Sequence, residues 1–98
     1  MPSPERSRTV VRAHCIFHGR VQGVFFRANC EADAKRRGLG GWVRNLEDGT
    51  VEAMFEGPRS VIEDAIRWNQ ESQPHAKVSK VEVDWQEATP ESSGFEIH

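Results

Sequence analysis

The nine residues Gly19-Arg20-Val21-Gln22-Gly23-Val24-Phe25-Phe26-Arg27 have the types and spacing best suited to chemistry in this chain. Gly19 and Gly23 take positive φ at little cost, which lets successive backbone N–H groups turn inward around an anion. A helix-like pattern follows, and a helix N-terminus adds partial positive charge at the same place. Arg27 adds a permanent charge and a planar fork that matches phosphate oxygens. Residues 19–26 together with Arg27 therefore read as a cradle for one phosphate-sized dianion. Taken alone, the segment reads equally well as a glycine-containing strand-to-helix turn beside a surface arginine. It contains neither G-x-x-x-x-G-K-[ST] nor G-x-G-x-x-G, so it offers no triphosphate lysine and no magnesium-binding hydroxyl.

A second cluster, Gly41-Trp42-Val43-Arg44-Asn45-Leu46, precedes Asp48-Gly49. An asparagine amide donates and accepts hydrogen bonds at once, so Asn45 is equipped to hold a water beside a bound phosphate. It cannot take a proton as a base and would act by positioning. The other reading is an asparagine that satisfies the hairpin backbone. Arg20 and Arg44 read either as aids to anion capture or as solvated charges.

Further candidates carry less. Cys30 to Arg36 has the C-x5-R spacing of cysteine-dependent phosphatases, but the intervening residues are helix formers without glycine. Glu31 and Asp33 would also disfavour both a thiolate and a phosphate. Cys30 reads as a core residue, packed near Cys15. His14 and His18 share a strand face but are separated by about 13 Å of strand, too far for one metal. His75 and His98 lack ligand-like neighbours in sequence, so no metal site is expected. Gly38-Leu39-Gly40-Gly41 follows a helix and reads as a helix-to-strand connection.

The elements that must position these groups follow from periodicity. Residues 1–8 read as a flexible polar tail and 9–98 as one domain. Thr9 to His18 alternates as a strand, with Val11, Ala13, Cys15 and Phe17 on one face. After the turn at 19–24, Phe26 to Arg37 reads as a helix with Phe26, Cys30 and Ala34 in a stripe, and Gly38 stops it. Gly41 to Leu46 and Thr50 to Glu56 form two strands joined by the Asp48-Gly49 hairpin signal. Gly57-Pro58 breaks the second strand, with Pro58 suited to a first helical position. Arg59 to about Ser72 is helical, and Gln73-Pro74 ends it. Val78 to Trp85 alternates again, and a polar loop from Thr89 to Gly94 leads to a last strand, Phe95 to His98. The order is β-α-β-β-α-β plus a short C-terminal strand. Two helices on one face of an antiparallel or mixed sheet give an α+β sandwich of the ferredoxin-like split βαβ kind. In this order the strand after the first helix is not the sheet neighbour of the first strand, yet its end reaches the mouth of the 19–24 loop.

Composition sets the outer limits. At 98 residues the chain is one domain, long enough for a two-layer core without staples. Its formal net charge of −2 argues against a general nucleic-acid binder while leaving room for a local basic pocket. Two cysteines make no disulfide scaffold. The residues before Thr9 contain no apolar stretch, and no segment approaches membrane-spanning length. The expectation is therefore a cytoplasmic protein with reduced thiols.

The two clusters together, G-R-V-Q-G-V-F-F-R at 19–27 and G-W-V-R-N-L-x-D-G-x-V-E at 41–52, resemble the acylphosphatase family. The resemblance covers nearly the whole chain: its length, element order, the spacing between motifs and the final strand. It implies a small α/β-sandwich enzyme that hydrolyses acyl phosphates to a carboxylate and inorganic phosphate. It assigns phosphate binding to Arg27 and orientation of the attacking water to Asn45, and the sequence departs from the family at neither position. Phe25 occupies a position that varies among relatives. A mixed anhydride has a good leaving group, so positioning and charge stabilisation suffice, and a phosphate oxygen of the substrate can take the water's proton. The expectation is an enzyme without metal or cofactor, a monomer acting on a small acyl phosphate, with neither nucleic-acid nor membrane partners. The rival class is a non-catalytic anion-binding or RNA-binding module with the same element order. An RNA reader of this order needs a K/R-G-F/Y-x-F pattern on its third strand, where this chain has Val51-Glu52-Ala53-Met54-Phe55.

Overall fold

The computed structural model of the protein describes residues 10–88 and 94–98. The expected tail at 1–8, and 89–93 of the polar loop, lie outside the described residues. The elements are β1 (Val10–Arg20), α1 (Phe26–Arg36), β2 (Gly40–Asn45), β3 (Val51–Pro58), α2 (Arg59–Glu71), β4 (Lys77–Glu87) and β5 (Phe95–Ile97). They assemble as one sheet in the order β4-β1-β3-β2-β5. Neighbours pair antiparallel except β2 and β5, which run parallel. β3 separates β1 from β2, as the split βαβ order requires. No helix among the described residues is long and apolar enough to cross a membrane.

Strand alternation decides which face is buried. Ala13, Cys15 and Phe17 of β1, Val43 of β2 and Val51, Ala53 and Phe55 of β3 are all fully buried. Against them α1 packs Phe26, Cys30 and Ala34, and α2 packs Ile62, Ala65 and Ile66. The Phe17 and Phe26 rings lie 5.2 Å apart, tying the strand before the candidate loop to the helix after it. Truncating either to alanine would cost about 3–5 kcal/mol by cavity formation. The opposite face is polar and paired: Arg12 with Glu56, His14 and Arg44 with Glu52, and His18 with Glu82. Burial raises the Glu52 carboxyl, but hydrogen bonds and charge from His14 and Arg44 outweigh it and hold the group below its ordinary value.

Most boundaries shift by a residue or two from the sequence reading, β4 running from Lys77 to Glu87 rather than from Val78 to Trp85, and the differences near the loop have identifiable causes. β1 continues past His18, through a register shift, to pair Gly19 with Val78 and Arg20 with Lys77. A Cβ at Gly19 would lie 2.2 Å from the Lys77 carbonyl oxygen, so only glycine lets β4 approach there. Gly57-Pro58 does not end β3, which pairs through Pro58 with Val10. Pro58 keeps an extended backbone (φ −63°, ψ 138°) and is the cap residue of α2 rather than its first helical residue. At the far end of α2, Gln73 is buried and donates to the Phe26 carbonyl at 3.0 Å and to Asn69 Oδ1 at 2.8 Å. That link fixes the first turn of α1 against α2.

Candidate active site

The β1–α1 loop is held by side chains that alternate between core and solvent. Val21, Val24 and Phe26 are buried, while Gly23 and Phe25 are exposed. Gly23 (φ 74°) and Phe25 (φ 59°) both take left-handed conformations, the kind of alternation that gathers successive N–H groups into a concave nest. Phe25 is also the cap residue of α1, and its carbonyl accepts the Asn29 N–H at 3.0 Å. No side chain caps this helix start, and its first turn carries no acidic residue. The N–H groups of the first turn have no intrahelical acceptors, so they present donors and the positive end of the helix dipole.

A cavity of about 310 Å³ opens over this loop, lined by Val21, Gly23, Phe25, Phe26, Arg27, Ala28, Asn45 and Ile97. The structure thus brings Arg27 at the start of α1 and Asn45 at the end of β2 to one space. Arg27 is half-buried, and its Nη1 donates to the His98 main-chain oxygen at 3.2 Å. That contact aligns the guanidinium along the cavity edge. Asn45 is exposed. Asp48 performs the turn capping that the sequence left open to Asn45, since its Oδ1 accepts both the Thr50 N–H (3.0 Å) and the Thr50 hydroxyl. These hydrogen bonds, the hydroxyl first, hold the Asp48 carboxyl below its ordinary value.

Within residues 19–26, the backbone from Val21 onward forms the loop, whereas Gly19 and Arg20 belong to β1 and do not line the cavity. The Val24 side chain is in the core. Gln22 turns away from the cavity and spans to the β2–β3 hairpin, with Nε2 donating to the Leu46 carbonyl at 2.8 Å and the Thr50 carbonyl at 2.9 Å. It joins the loop to the segment that begins immediately after Asn45. Arg44 lies 5.3 Å from the Trp42 ring centroid and pairs with Glu52, while Arg20 is exposed.

Cys30 is fully buried inside α1, in the same apolar cluster as Cys15, and both thiols are free. Burial pushes the Cys15 thiol up to about 12 and raises Cys30 further. Neither is a nucleophile near neutral pH. His14 and His18 each lie 2.6 Å from a different carboxylate, Glu52 and Glu82. No group of three or more His, Cys, Asp or Glu among the described residues is placed to hold a metal ion.

Two features of the site escaped the sequence reading: the bridge made by the side chain of Gln22, a residue read there only as part of the phosphate cradle, and the arrival of Ile97. Gln22 had only its polarity within an otherwise apolar and glycine loop to mark it, and nothing local shows where its amide points. Ile97 reaches the cavity because β5 pairs parallel with β2, Val43 opposite Ile97. His98, which lacks sequence neighbours for a ligand role, stacks on Trp42 (5.4 Å, 13°) and approaches Glu96 at 3.3 Å.

A sequence profile of the Acylphosphatase family matches residues 13–97. Acylphosphatase of Pelotomaculum thermopropionicum is 49% identical over 86 residues, 88% of this chain and 94% of that protein. Acylphosphatase of Haloquadratum walsbyi is 50% identical over 92 residues, 93% of this chain and 97% of that protein. The crystal structure of acylphosphatase from Bacillus subtilis superposes with a TM-score of 0.86 at 33% identity, covering 90% of this chain and 98% of that one.

Proposed function

The chain belongs to the acylphosphatase family, and on that premise we propose that it hydrolyses acyl phosphates by attack of a positioned water on phosphorus, without a metal ion or cofactor. The observation that carries this reading is the meeting of Arg27, Asn45 and the left-handed loop backbone around one cavity. The phosphoryl group occupies the nest of N–H groups from Val21 to Arg27, with the Arg27 guanidinium on its oxygens. One such charge pair at about 4 Å and an effective dielectric near 20 is worth roughly 4 kcal/mol. Part of that stabilises bound substrate as well as the transition state, so it does not convert wholly into rate.

Asn45 places the water opposite the leaving carboxylate, its amide oxygen accepting a hydrogen bond from the water and fixing the water oxygen's approach to phosphorus. The new P–O bond forms as the bond from phosphorus to the acyl oxygen breaks. The electron pair leaves with the carboxylate, and the water's proton passes to a phosphoryl oxygen. Acyl phosphates need no strong base because the carboxylate is a good leaving group, and positioning with charge stabilisation supplies the catalysis.

The test is hydrolysis of benzoyl phosphate in ¹⁸O-labelled water with excess chelator. Rapid turnover with label in the phosphate supports the reading. Label in benzoate would place the attack at the carbonyl carbon, and turnover abolished by chelator would require a metal. An inert protein that still binds phosphate would be an anion-binding module.

A further inference from the structure

We propose that Phe25 and Ile97 form an apolar lip that binds the acyl half of the substrate and selects aromatic or bulky apolar acyl phosphates over acetyl phosphate. The inference rests on the hydrolase reading above and names the substrate class of that site. Phe25 is 78% exposed and Ile97 40% exposed, and both line the cavity that holds Arg27 and Asn45. The other large apolar side chains exposed among the described residues, Val10 and Val83, do not line this cavity.

Phe25 is unfavourable by two separate measures. A bulky residue at φ 59° is strained where glycine or asparagine would fit the same backbone with less cost. Its ring is also mostly in water and adds little to the core. The capping carbonyl of Phe25 is main chain and needs no phenyl ring. What the ring does supply is an apolar wall beside the cradle. An acyl phosphate is two halves joined by one oxygen. With the phosphoryl half against Gly23 and Arg27, the acyl half extends along the cavity wall toward its opening. There it meets Phe25 from the loop and Ile97 from β5, on opposite sides of Arg27 in the chain but in one cavity. An aromatic acyl group would bury its face against these two side chains, and an acetyl group has far less apolar surface to bury there.

The experiment compares kcat/KM for benzoyl phosphate and acetyl phosphate in wild type, Phe25→Asn and Ile97→Ser. The ratio of the two values cancels any change in the shared phosphate cradle. It is expected to fall about fivefold to tenfold in Phe25→Asn and less in Ile97→Ser, as loss of a partial aromatic contact implies. Phe25→Asn should also unfold at a higher temperature than wild type, because asparagine tolerates the left-handed backbone. That separates loss of selectivity from loss of fold. An unchanged ratio in an active Phe25→Asn, or in Ile97→Ser should Phe25→Asn not fold, overturns this inference and leaves the hydrolase reading intact. A wild type inert on both substrates overturns the hydrolase reading and this inference with it.

Discussion

Gln22 offers the sharpest test of how the loop and the hairpin work together. Gln22→Leu keeps the side-chain stem and removes the amide that donates to the Leu46 and Thr50 carbonyls. Neither carbonyl is left without a donor. The Leu46 oxygen still accepts the Gly49 N–H at 3.2 Å, and the Thr50 oxygen still accepts the Leu46 N–H at 2.9 Å. The loss is therefore two net hydrogen bonds at the lower end of their range, about 1–2 kcal/mol together. For a domain of this size that is a fall in Tm of about 4–8 °C per kcal/mol. The catalytic effect should be larger in proportion. Asn45 sits one residue before Leu46, so freeing the hairpin from the loop displaces the water-holding amide relative to the phosphate cradle. A misplacement of about 1 Å costs on the order of 100-fold in rate. Steady-state kinetics with benzoyl phosphate should show kcat reduced by about tenfold or more, whereas the inhibition constant for phosphate should stay within about threefold. A lowered Tm with unchanged kcat would refute the reasoning, since Gln22 would then be a stabilising contact only.

Other expectations bear on the same account. Arg27→Ala should lose phosphate inhibition and turnover together, and Arg27→Lys should recover little of either because a point charge cannot replace the fork; competitive inhibition by phosphate at the wild-type level in either variant would remove Arg27 from its role. Cys30→Ala should lower Tm, as loss of a packed sulfur in a buried position does, while the folded variant keeps its turnover; an inactive folded variant would reopen the thiol chemistry. Glu52 has a folded-state value held below its ordinary one, so its contribution to stability is present above the ordinary carboxylate value and lost as pH falls through the depressed one. Chemical denaturation from pH 7 down to pH 3 should accordingly show a smaller acid-side loss of stability in Glu52→Gln than in wild type, and parallel curves would contradict this.

Local signals carried most of the architecture. The alternation of Ala13, Cys15 and Phe17, the stripe of Phe26, Cys30 and Ala34, and the Asp48-Gly49 turn each report a period or a backbone preference that tertiary packing reinforces. What escaped was set by partners distant in sequence. Gly19 belongs to a strand because β4 approaches it, and Pro58 stays extended because Val10 pairs with it. The candidate site divides the same way. Arg27 and Asn45 stood out from their motifs, whereas the direction of the Gln22 amide and the arrival of Ile97 depend on hairpin and β5 contacts that no local pattern encodes. Phe25 was visible as a residue, but its left-handed backbone was not, because nothing about a phenylalanine announces φ 59°.

The central claim is that phosphate holding and water positioning are separate tasks of Arg27 and Asn45 within one cavity. The most direct measurement is turnover of benzoyl phosphate and inhibition by phosphate in Asn45→Ala, with folding checked by thermal unfolding. The account predicts a folded protein whose kcat falls by about 100-fold or more while phosphate inhibits as it does wild type. A folded Asn45→Ala that turns over at the wild-type rate, or one that loses phosphate affinity along with turnover, would contradict it.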